Sequence, residues 1–116
     1  MITSEVEQAL AAQINQEFTA AYSYLGMAAW FDRESLDGFA HWMQLQYQEE
    51  NAHAMRLFRY LLDRGGEFEL AGIGKPRTEY TSVREAFETA LRQEQENTAS
   101  INKLYELAGN LNEYAR

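Results

Sequence analysis

A chain of 116 residues allows one domain with a modest core, and its 46% apolar content with a single proline favours long helices over strands and turns. Eighteen acidic against ten basic residues leave a net charge of −8, which repels nucleic-acid backbones and draws cations to any acidic concavity, although a solvated acidic surface serving solubility has the same composition. The absence of cysteine excludes disulfides and thiolate metal sites and fits a reducing cytoplasm; no signal-peptide pattern opens the chain, and no stretch approaches the roughly 20 apolar residues of a membrane span.

The first helix is predicted over about residues 4–31. Ser4 and Glu7 have capping-box spacing, and Val6, Leu10, Ile14, Ala21, Tyr24, Ala28 and Phe31 recur at three- and four-residue steps as one apolar stripe. Asp32-Arg-Glu-Ser35 reads as a short turn, with Ser35 capping a second helix over 35–64 that Gly65-Gly66 stops. So short a connection makes these two helices antiparallel neighbours. Residues 65–81 hold four of the seven glycines and the only proline, lack a sustained period and read as a loop. Extended, that loop reaches roughly 55 Å, whereas a helix of about 30 residues is about 45 Å long. It can therefore cross the length of a bundle, which makes the third helix parallel to the second. Ser82-Val-Arg-Glu85 opens that third helix, over 82–109, with Val83, Phe87, Leu91, Ile101, Tyr105 and Ala108 along its stripe and Gly109-Asn110 at its end. The fold class is all-α, a bundle of three long helices forming one domain over residues 1–116.

Each stripe is interrupted by an acid. Glu17 falls between Leu10, Ile14, Ala21 and Tyr24; a carboxylate on an inward face must be protonated, paired or bound to a metal. The second stripe, Phe39, Met43, Gln46, Glu50, His53, Leu57 and Leu61, has Glu50 and His53 at its centre. Glu-x-x-His aims a carboxylate and an imidazole from adjacent turns at one point, a spacing that helix bundles use for paired metals. Glu94 lies between Leu91 and Thr98 on the third helix. All three acids sit near mid-helix, so equal-length helices would bring them to one level. Carboxylates with one imidazole suit iron or manganese.

Asn15-Gln-Glu17-Phe18 with Tyr24 and Trp30, then Gln48-Glu49-Glu50-Asn51-Ala52-His53, the glycine-containing crossover and Gln93-Glu94 together resemble the first three helices of a bacterial non-haem ferritin, over nearly the whole chain. The resemblance implies a ferroxidase di-iron centre, with Glu17, Glu50 and His53 on one iron and Glu50 bridging to a second iron held by Glu94. Fe(II) would be oxidised by dioxygen, for iron storage or detoxification, in a cytoplasmic homo-oligomer. Tyr24 matches the family's tyrosine beside the site, or is a core aromatic. Glu49 corresponds to a third iron position, or is a solvated neighbour of Glu50.

Family members continue into a fourth helix that supplies further ligands, whereas this sequence ends at Asn112-Glu-Tyr-Ala-Arg116. A fragment, a native short form completed by a partner chain, and one part of a longer chain are the three explanations; self-association is favoured, because three helices alone leave an apolar side uncovered. The alternative function is a non-catalytic iron-binding or assembly module with an incomplete di-iron site. Another di-metal oxidase of the same bundle class is disfavoured by the presence of one Glu-x-x-His rather than two.

Overall fold

The computed structural model describes residues 2–110, and among these the helices are α1 (Ser4–Arg33), α2 (Asp37–Asp63) and α3 (Val83–Asn110). The expected crossing of the loop is observed. Near its start the Glu67 amide donates to Glu7 at the beginning of α1, and near its end Thr78 accepts from the Arg33 guanidinium at the other extremity of that helix. α1 is the spine, packing antiparallel against α2 on one side and against α3 on the other. The backbones of α2 and α3 stay apart and meet through aromatic side chains, Phe87 against Phe39 and Trp42 with ring centres 5.2 and 5.6 Å apart.

Two apolar clusters form along the spine. One gathers Tyr24, Met27, Trp30, Phe31, Met43 and Ala90, with Tyr80 of the crossover edge-on to Trp30. The other joins Val6, Leu10 and Ile14 to Leu61 and Leu104. Burial of each leucine- or phenylalanine-sized side chain supplies about 1.5–3 kcal/mol. Between the clusters lies a layer of buried polar side chains, Gln13, Glu17, Glu50 and Asn97.

Helix ends differ from expectation in two places. The first helix is capped by Thr3, whose hydroxyl accepts from the Val6 amide at 3.2 Å, so Ser4 is already helical. Ser35 does not cap α2; it has φ 59° and terminates α1, with its own amide bonded to the Asp32 carbonyl and that of Leu36 to Phe31. This is a Schellman ending with serine where glycine is usual. The same motif with the expected glycine closes α2, where Gly65 has φ 74°. At α3 the expected cap holds, since Ser82 accepts from the Glu85 amide, while Glu85 reaches back to the Thr81 amide.

The face of α3 is also rotated from expectation. Its buried residues are Ala86, Ala90, Asn97, Leu104 and Ala108, whereas Leu91 and Tyr105 of the expected stripe are 59% and 61% exposed. α3 meets α1 largely through alanines, with Asn97 and Leu104, while Leu91 and Tyr105 stay exposed on the open side it shares with α2. Phe39 of the α2 stripe is likewise 41% exposed there. Residues 112–116, on which the expectation of an early end rests, lie outside the described residues.

Gly26 explains how tightly the crossover lies on α1: a Cβ at this position would stand 2.2 Å from the Arg77 carbonyl oxygen. In an open helix face glycine to alanine gains about 1 kcal/mol. Here Gly26→Ala is expected to lower stability by about 1–3 kcal/mol, because backbone must move to admit the methyl group. Chemical denaturation followed by circular dichroism measures it, and a stabilised variant would show that the strap is not held against the helix.

Candidate metal centre

Mid-way along α1 the apolar stripe presents Glu17, which is fully buried. The adjacent α2 contributes Glu50, also buried, and one turn later His53, whose side chain is 41% exposed. Antiparallel packing brings the three together, each offering a ligand atom within 4.8 Å of the other two. His53 Nδ1 lies 3.3 Å from Glu17 Oε2 and 3.7 Å from Glu50 Oε2. Both of those carboxylate oxygens are buried without a hydrogen-bond partner. Unpartnered carboxylate oxygens aimed at one point are costly unless a cation or a proton sits among them.

A proton on Glu50 is one such compensation. Burial, reinforced by the neighbouring Glu17 and then Glu94 carboxylates, pushes the Glu50 carboxyl up to about 9 from its ordinary 4.5. The physical cause is like-charge crowding in a poorly solvated place. A cavity of about 250 Å³, lined by Glu17 and His53 with Leu57, Ile101, Leu104 and Tyr105, adjoins the cluster between α2 and α3. Exposed Arg56 also lines it.

Glu94 falls outside the three-residue group. Its carboxylate accepts the Tyr24 hydroxyl at 2.5 Å, and its charge acts on Glu50. Burial, then this bond to Glu94, raises the Tyr24 phenol, so Tyr24 is a protonated donor fully enclosed beside the acids. Glu49 is exposed and takes no part in the cluster, as a solvated neighbour of Glu50 would be.

The sequence reading missed what stands behind Glu17. Gln13 Nε2 donates to Glu17 Oε1 at 3.0 Å and Asn97 Nδ2 donates to the same oxygen at 2.6 Å. Gln13 also donates to Asn97 Oδ1 and accepts from Ser100. The available signal was Gln13 one turn before Glu17 on the same inward stripe; Asn97 was hidden by the misplaced face of α3.

The ferritin-like domain model matches residues 7–115. This chain belongs to the ferritin family. A bacterial non-heme ferritin of Staphylococcus epidermidis is 41% identical over 115 residues, covering 99% of this chain and 69% of that protein. A counterpart in Staphylococcus aureus is 36% identical over the same spans. Among solved structures, an open pore ferritin from the archaeon Archaeoglobus fulgidus superposes with a TM-score of 0.94 at 39% identity, covering 98% of this chain and 70% of that one. A humanized archaeal ferritin gives 0.95 at 41%, covering 99% and 70%. Among the described residues, this ferritin-family chain has no helix long and apolar enough to cross a membrane.

The Glu50 carboxyl makes stability depend on pH. Its pKa is raised on folding, so the folded chain keeps a proton that the unfolded chain has released; the contribution is complete below the ordinary 4.5 and is lost as pH rises through about 9. The melting temperature of the metal-free protein should therefore fall across that window. Glu50→Gln, which cannot titrate, should flatten the fall and raise the midpoint at its alkaline end. Calorimetry in chelator at a series of pH values checks this, and equal slopes in both proteins would refute it.

Proposed function

We propose that this chain binds Fe(II) through Glu17, Glu50 and His53 and oxidises it with dioxygen, as part of iron storage or detoxification. The observation that carries the reading is the convergence of two buried, unpartnered carboxylate oxygens and one imidazole nitrogen on a single point. Oxygen ligands with one nitrogen suit iron, and their negative charge favours the ferric over the ferrous ion. The relatives named bacterial non-heme ferritin support iron as the substrate.

In this reading Glu50 bridges to a second iron held by Glu94, on the side where Glu94 already interacts with Glu50 and Tyr24. Two ferrous ions give one electron each to dioxygen, leaving two ferric ions and, with two protons, hydrogen peroxide. Tyr24, as a buried hydroxyl donor, orients Glu94. We assign no iron to exposed Glu49. The open side between α2 and α3, with Trp42, Leu91 and Tyr105 exposed along it, supports association with further copies of the chain. The proposed setting is the cytoplasm.

A single-metal, non-catalytic module is the second reading, favoured by one observation: Glu94 is not within the three-residue group. Aerobic Fe(II) titration of the protein separates the two. Rapid oxidation saturating near two irons per chain, lost in Glu50→Ala with the helical signal unchanged, is the expected result. Binding of one iron without acceleration over buffer would assign the centre to the non-catalytic reading.

A further inference from the structure

The buried polar layer extends beyond the proposed iron ligands to Gln13, Asn97 and Ser100, whose oxygens bond to one another's side chains. Ser100 Oγ donates to Gln13 Oε1 at 2.6 Å, Gln13 Nε2 donates to Asn97 Oδ1 at 2.9 Å, and both amides donate to Glu17 Oε1. The set links α3 to α1 in both directions, and two of its bonds end on one carboxylate oxygen, one donated from each helix. The orientation of each amide is dictated, since only an NH₂ group can face a carboxylate. Gln13 and Asn97 are both buried, so water does not substitute for these bonds cheaply.

The consequence falls on Glu17. A carboxylate oxygen has two lone pairs, and both on Oε1 are engaged by amide donors. Oε2 has none of its pairs engaged and is the oxygen nearest His53. We infer that Gln13 and Asn97 are positioning residues that restrict Glu17 to a single metal-binding oxygen and so set the affinity and coordination geometry of the iron site. The inference rests on the proposed iron-binding function. It also makes the separation of α1 and α3 part of the site, although α3 places no ligand in the three-residue group.

A purely structural role, fixing the register of α1 on α3, is the competing account of the same bonds. Replacing one of these buried amides leaves its remaining partners unsatisfied and lowers stability under either account, so stability alone does not distinguish them. The metal readout therefore separates the two. Asn97→Leu and Gln13→Met each remove one donor from Glu17 Oε1, from different helices, so that one informs should the other fold poorly. Cobalt(II) is the probe, because its visible absorption bands report coordination geometry without any oxidation. Loss of a group that orients a metal ligand costs about 10–100-fold in affinity. Each variant is expected to bind cobalt(II) that much more weakly, with altered band positions as the freed Oε1 joins the metal, in a protein that is still folded though lower in melting temperature. Wild-type affinity and wild-type bands in a folded variant overturn the inference while leaving the iron site standing, provided Glu17→Ala abolishes binding. Unchanged cobalt(II) binding in Glu17→Ala itself overturns the iron site and the positioning role together.

Discussion

Everything in this bundle is arranged around the burial of carboxylates half-way along it. Glu17 has no exposure and Glu50 almost none, and a carboxylate in such a place without compensation costs several kcal/mol. The compensation is spatial. Apolar clusters lie on both sides of the polar layer, one built on Phe31, Met27 and Met43, the other on Ile14, Leu10 and Leu61. Each buried side chain of this size contributes about 1.5–3 kcal/mol, so the clusters offset the layer and clamp the helices on either side of it.

That clamp depends on α1. Both other helices pack on it, and the crossover lies along it, pressed close enough at Gly26 that no side chain fits. Because the crossover runs the length of α1, α3 returns parallel to α2 instead of beside it as a hairpin. The two then diverge on the side away from the spine. His53 keeps its partial exposure on that divergent side, and the adjoining cavity reaches Glu17. An ion could thus approach the buried acids without the bundle opening, a property of the topology more than of any one residue.

The three helices, the crossing loop and the inward positions of Glu17 and Glu50 were legible because each rests on periodicity or on a glycine-rich interruption. The stripe from Val6 to Phe31 is buried throughout. The α3 face was not legible. Its large residues, Leu91 and Tyr105, look like a core stripe, yet the residues buried on this helix are mostly small or polar, Ala86, Ala90, Asn97 and Ala108 with Leu104, a face that hydrophobicity alone does not select. The ends of α1 were misread for a related reason. Thr3 and Ser4 can both cap, and the weaker of the two, Thr3, is used; a serine at φ 59° in Ser35 is accommodated where the Schellman bonds around it are complete. The amides behind Glu17 escaped notice because their meaning lies in a contact between residues far apart in the chain.

The two buried acids are in unlike surroundings, and that difference determines how the site can respond to a cation. Glu17 receives two amide donors on one oxygen and turns the other toward the cluster. Glu50 Oε2 has no donor, and the carboxyl is surrounded by the charges of Glu17 and Glu94, so it is the group that carries the proton at neutral pH. Under the proposed reading, a divalent ion entering between them would take the place of the proton and satisfy both orphaned oxygens at once. Glu50 would then give up its proton, while Glu17 would keep its orientation through its bonds to Gln13 and Asn97. One acid is built to stay and the other to change state, and the asymmetry comes from which of them faces the amides of α3.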